Sequence, residues 1–240
     1  MVLTRVAGVT YSHLSANFCV TPGRLVALLD SLKRLHTCEG STDTVSDELL
    51  CTNYARKVKQ RYQKHEAFFR SFGADVPQLA SKVLSFLEDY ETQKRFNKAG
   101  YIHGDPVFSN VLLTHDGRVK FLDMRGALGD VLTTCGDVAY DLSKVYQSLC
   151  GYDAIILDVP VDAAGAQTLA KLRSCFATWL AKNYPSVKMR DVRLIVAAHY
   201  FCIVPLHDNL HHQRQFLAKA RWLLEADDDA SGTGPDAVVA

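Results

Sequence analysis

Residues Tyr101 to Gly126 read Y-I-H-G-D-P-V-F-S-N-V-L-L-T-H-D-G-R-V-K-F-L-D-M-R-G, and the fold is decided there. Asp105 is followed five residues later by Asn110, and the apolar run Val111-Leu112-Leu113 leads into His115-Asp116-Gly117. Asp and Gly tolerate the backbone of a tight reversal, so this is a turn. A second apolar run, Val119 to Leu122, then delivers Asp123. The pattern predicts a loop, a β-hairpin and a carboxylate at the hairpin's exit. It reads as a catalytic loop between two metal-binding positions.

Upstream, Pro77 opens a helix with Leu79, Val83, Leu87 and Tyr90 on one stripe, ending before Asn97 to Gly100 and leading directly into the loop. From Asp47 to Phe72, Leu50, Tyr54, Val58, Tyr62, Phe69 and Phe72 fall nearly in phase, which predicts one long helix capped by Ser46. Its other face carries Arg56, Lys57, Lys59, Arg61, Lys64 and Arg70, read as a solvated basic face. An earlier helix has Thr21 as N-cap, Pro22 at its first position, and Leu25, Leu28, Leu29, Leu32 and Leu35 at helical spacing. His36 to Ser46 is polar and reads as a loop. At the start, Val2 to Val6 predicts a strand broken by Ala7-Gly8, with Tyr11-Ser12-His13 at a short helix.

Downstream, a Gly-rich passage runs to Gly136, and Asp137 starts a helix containing Tyr140, Asp141, Leu142, Val145 and Leu149. Three further helices are predicted over Gln167 to Asn183, Met189 to Val204 and Leu210 to Ala226. His207-Asp208 with His211-His212 reads as a helix-start cluster rather than a metal site. The fold class is therefore α+β, mainly helical, with one small β-hairpin.

Composition removes several alternatives. A formal net charge of +1 does not advertise the basic surface that a dedicated nucleic-acid binder needs. No run of about 18 apolar residues occurs, so no membrane span is expected. The seven cysteines are scattered and include no C-x-x-C, which points to reduced thiols and a cytoplasmic location.

His103-Gly104-Asp105 with Asn110, then Asp123, then Gly136-Asp137-Val138-Ala139-Tyr140-Asp141-Leu142 resemble the aminoglycoside phosphotransferase and choline kinase-like superfamily, within the protein kinase-like fold. Three pieces in the right order and spacing are more specific than any one alone. The resemblance implies that Asp105 is the catalytic base, that His103 braces its loop, and that Asp141 anchors the loop from below. It implies that Asn110 and Asp123 hold Mg²⁺ on the phosphates of ATP. Arg125 touches a phosphate or substrate oxygen, or makes a local ion pair. Gly104 stands where a protein kinase has the Arg that reads a phosphorylated activation loop, which suggests a small-molecule substrate.

The resemblance covers the C-terminal lobe and hinge, with the N-lobe largely absent. Residues 1–9 are expected to be the last N-lobe strand and hinge, placing Val6 and Gly8 at the nucleotide. Residues 10–226 form the kinase-like C-lobe, and residues 227–240, acidic and turn-rich, a disordered tail. The N-lobe's strand lysine and glycine-rich cover have no counterpart before Gly8. The chain is then either part of a longer protein, with an N-lobe or fused domain upstream, or a kinase-like domain that lost its ATP clamp. The expected function is ATP- and Mg²⁺-dependent phosphorylation of a sugar or amino alcohol. The alternative is a catalytically inactive kinase-like binding or regulatory module. Acceptor-pocket candidates are Tyr146, Tyr152, Trp179, His199 and Tyr200, each with an ordinary core role as its alternative.

Overall fold

A computed structural model describes residues 6–41 and 44–226. Most of the strand expected at Val2 to Val6, and the expected tail, lie outside the described residues.

The first half contains β1 (Gly8–Thr10), α1 (Tyr11–Ala16), α2 (Pro22–His36), α3 (Asp47–Cys51), α4 (Ala55–Lys64), α5 (Glu66–Arg70), α6 (Val76–Thr92) and β2 (Lys98–Ala99). A 3₁₀ turn (Phe108–Asn110) then precedes β3 (Val111–Thr114), β4 (Val119–Phe121), β5 (Ala127–Leu128), β6 (Val131–Leu132) and β7 (Gly136–Asp137). The remainder is helical: α7 (Val138–Leu149), α8 (Tyr152–Ile156), α9 (Ala163–Asn183), α10 (Met189–Ile203) and α11 (Leu210–Glu225). The mainly helical α+β class expected from the sequence is what is seen. Among the described residues no helix is long and apolar enough to cross a membrane.

The centre of the body is α7, in which every residue from Val138 to Leu149 is buried and which packs against α8, α9 and α10. Its N-cap, Asp137, accepts from the Ala139 amide. That carboxylate is itself enclosed. Tyr54 Oη and Tyr90 Oη donate to its Oδ2 at 2.7 and 2.6 Å, and the amides of Asn97 and Ala139 donate to Oδ1 at 3.0 Å each. Burial pushes its pKa up, while the four donors favour the ionised form.

Asp137 also explains why the long helix expected from Asp47 to Phe72 is broken into three. Tyr54 turns inward to reach Asp137 and adopts φ −110° and ψ −118°, which is not helical, so α3 ends and α4 begins anew. A second break falls at His65, before α5. The basic face is also not uniformly solvated. Arg56, Lys59, Lys64 and Arg70 are exposed, but Lys57 and Arg61 are partly buried. Arg61 donates to the Cys202 carbonyl at 3.0 Å.

The expected hairpin is present as β3 and β4, with Val111 opposite Phe121 and Leu113 opposite Val119. It is not alone, because β1 pairs antiparallel with β3 and makes a three-stranded sheet. Gly8 is the first residue of this added strand. A Cβ there would lie 2.4 Å from the Leu113 carbonyl oxygen, so only glycine permits this pairing. The helix before the loop does not lead into it directly either. β2 intervenes, pairing with β7 so that the segment between them leaves and re-enters the body at one two-stranded stem.

Candidate active site

The loop after β2 hangs from Asp141, on the first turn of α7. The amides of His103 and Gly104 donate to Asp141 Oδ2 and Oδ1 at 2.7 Å each, and His36 Nε2 lies 3.0 Å from Oδ2. Asp141 is wholly buried, so its charge is met by protein donors instead of water. His36 was expected in a polar loop. It is instead the last residue of α2, buried, with Nδ1 2.8 Å from Tyr184 Oη. The signal was present, since His36 follows Leu32 by four residues and continues the Leu25, Leu28, Leu32 stripe.

His103 links the two halves of the quoted stretch. The Asp105 amide donates to its Nδ1 at 3.1 Å, so Nδ1 is an acceptor, and Nε2 lies 2.9 Å from the Leu122 carbonyl, to which it donates. One neutral tautomer satisfies both bonds. The imidazole thus ties Asp105 to the residue preceding Asp123. Gly104 has φ +84°, and a Cβ there would lie 2.8 Å from Arg125 Cβ. That lets the 123–126 segment close on the loop, where the Arg125 amide donates to the His103 carbonyl at 2.9 Å.

Asp105 is only 31% exposed and is faced by two cations. Lys144 Nζ lies 3.1 Å from Oδ1 and Arg125 Nη2 3.9 Å from Oδ2. Burial opposes ionisation, but Lys144 and Arg125 outweigh it and hold the carboxyl below the usual carboxylate range. At neutral pH it is an anion positioned to accept.

Asn110 and Asp123 present oxygens. Asn110 Nδ2 donates to the Asp105 carbonyl at 2.9 Å, which aims the amide, and the Leu122 amide donates to the Asn110 carbonyl at 2.9 Å. Among the described residues Asn110 Oδ1 and the Asp123 carboxylate take part in no hydrogen bond or ion pair. Asp123 is exposed and has φ +57°, a left-handed backbone that a non-glycine residue adopts at some expense. Among the described residues no three His, Cys, Asp or Glu side chains form a metal cage. Two hard oxygen donors with coordination positions left for water and phosphate fit Mg²⁺, which binds in that manner.

Val6 and Gly8 are not brought to this cluster. Val6 is exposed before β1, and Gly8 pairs with Thr114, about 10 Å along β3 from the end that adjoins Asn110. Of the acceptor-pocket candidates, Tyr146, Trp179 and Tyr200 are buried in the core. Tyr200 Oη donates to the carbonyls of Gln147 and Cys150. His199 packs edge-on against Tyr140 at 4.9 Å and bonds Ser143 Oγ at 2.8 Å, while Tyr152 is partly buried against Phe216. At the start of α11, Asn209 Oδ1 caps the helix and His212 pairs with Asp158 at 2.7 Å.

Lys144, Tyr140 and Lys57 received no site role from the sequence. Lys144 follows Asp141 by three residues on a helix, so its place on the same face was legible from spacing. Lys57 arrives from α4, and no local pattern announces it.

A helical body with a loop carboxylate, an amide and a second carboxylate at a hairpin exit is the arrangement of a kinase-like phosphotransferase. A family model described as "Phosphotransferase enzyme family" matches residues 1–175. The chain belongs to that family, as the resemblance to the aminoglycoside phosphotransferase and choline kinase-like superfamily implied. A search of the curated proteins found no match.

Proposed function

We propose that the protein is an ATP- and Mg²⁺-dependent phosphotransferase that phosphorylates a hydroxyl of a small molecule. The observation that carries this reading is the ionised Asp105 standing beside two oxygen donors, on Asn110 and Asp123, that have no partner among the described residues. Asp105 accepts the hydrogen bond of the acceptor hydroxyl, orients its oxygen for in-line attack, and takes its proton as the bond to phosphorus forms. Asn110 and Asp123 hold the metal, which when bound neutralises charge on the transferred phosphoryl group. His103 and Asp141 keep the loop in register, so these oxygens need no rearrangement during the reaction.

The test is Asp105→Asn. The amide keeps the shape but has lost the basic oxygen, so phosphoryl transfer should fall by about 10²–10⁴-fold while the Kd for Mg-ATP stays unchanged. Turnover at the wild-type rate would remove Asp105 from the role of base.

A further inference from the structure

Three cations from three separate segments converge beside Asp105. Lys57 Nζ and Arg125 Nη1 both donate to Tyr140 Oη at 3.2 Å. Lys57 Nζ, Arg125 Cζ and Lys144 Nζ lie 5.8, 5.7 and 5.9 Å from the centroid of the Tyr140 ring. The side chain of Lys144 is only 10% exposed, and Tyr140 is buried. Among the described residues Asp105 is the one carboxylate that ion-pairs with any of the three, and it reaches Lys144 and Arg125 but not Lys57. Asp141 is committed beneath the loop to His36 and two backbone amides.

The field of this cluster is visible on Tyr140. Burial alone would raise its phenol, yet Lys57, Lys144 and Arg125 outweigh burial and bring the pKa down to about 8. His199, against the same ring, is pushed well below its ordinary value by burial first and then by the same three cations. Cation–ring contacts alone account for stacking, but they do not neutralise charge. One carboxylate among three partly desolvated cations leaves positive charge that an anion would stabilise. An ammonium-bearing acceptor would meet repulsion at the same place.

We infer that the acceptor of the proposed phosphotransfer carries an anionic oxygen group, a carboxylate or a phosphate ester, which Lys57 and Arg125 bind while its hydroxyl meets Asp105. This rests on the phosphotransferase reading and narrows it, since a cationic amino alcohol is excluded while an acidic or phosphorylated sugar fits. Lys57 is a specificity residue in this account. Lys144, nearly buried on Oδ1 of Asp105, serves chiefly to hold the base.

The experiment is an acceptor series with Mg-ATP, comparing glucose 6-phosphate, glucuronate, glucose and ethanolamine, followed by ADP release and product mass. The anionic acceptors should be used with kcat/KM at least about tenfold above glucose, and ethanolamine least of all. The two anionic members separate phosphate ester from carboxylate. In Lys57→Gln the KM for the preferred anion should rise about tenfold with the Kd for Mg-ATP unchanged, and Lys57→Arg should restore it. Preference for glucose or ethanolamine would overturn the inference while leaving the phosphotransferase reading intact. A Lys57→Gln effect on Mg-ATP affinity alone would overturn it too, assigning the cluster to the nucleotide. If no acceptor is phosphorylated, calorimetry with glucose 6-phosphate and glucuronate decides separately. Binding of either that Lys57→Gln weakens supports the anion site, and binding of neither overturns it.

Discussion

Lys144 and Asp105 form a pair whose consequence is a pH profile. Asp105 is depressed because Lys144 and Arg125 outweigh burial, so removing Lys144 takes away the largest opposing influence and the pKa moves up. In the proposed reaction the active form is the carboxylate. In Lys144→Met the acid limb of kcat should therefore shift to higher pH, measured as kcat against pH with saturating substrates. An unmoved limb, or one moved to lower pH, would show that Lys144 does not set the ionisation of Asp105. Folding stability follows the same sign, since a depressed carboxylate stabilises above its unfolded pKa and loses that contribution as pH falls through the folded value. At this scale Asp105, Asn110 and Asp123 were singled out because they sit at fixed short separations in one stretch, and Asp141 because it falls in the Gly136–Leu142 piece of the family pattern. Lys57 was not, and His36, though it continues the apolar stripe of α2, gave no sign of Asp141, since these partners lie 83 and 105 residues away and only folding brings them together.

Among the elements, the β2–β7 stem and the start of α7 hold the loop to the body. Gly136 faces Ile102, where a Cβ would lie 2.2 Å from Ile102 Cδ1, so the stem closes tightly. Asp137 joins it to α3, α4 and α6 through Tyr54, Tyr90 and Asn97. Asp137→Ala leaves two buried tyrosine hydroxyls and two amides without their acceptor and should lower the unfolding free energy by about 3 kcal/mol or more. Denaturant unfolding measures this. A loss within about 1 kcal/mol would mean that the four donors find other partners. Helical periodicity announced α2, α6, α7, α9, α10 and α11, with Thr21, Pro77 and Asp137 marking the starts of the first three, while α9 begins at Ala163, four residues before the expected Gln167. Two-residue strands such as β2 and β7 carry no period, and the break at Tyr54 follows from a tertiary hydrogen bond that no local propensity contains.

Across the whole molecule, charge is nearly balanced, with 27 Lys and Arg against 26 Asp and Glu, yet it is unevenly placed. That total concealed the concentration of Lys57, Arg125 and Lys144 around Tyr140. The arrangement separates two tasks. In the proposed reaction Asn110 and Asp123 would hold the metal, while the cations on Tyr140 would meet an anionic acceptor. Family membership speaks for phosphoryl transfer in general, and the use of Mg-ATP is the proposal that rests on the oxygens of Asn110 and Asp123. Calorimetry of ATP binding, with Mg²⁺ and with chelator, in the wild type, Asp123→Ala and Asp105→Asn therefore tests the central claim most directly. ATP should bind in a Mg²⁺-dependent manner to the wild type and to Asp105→Asn, and that dependence should be lost in Asp123→Ala. Binding that ignores Mg²⁺, or that survives unchanged in Asp123→Ala, would contradict the assignment of this stretch as a phosphotransfer site.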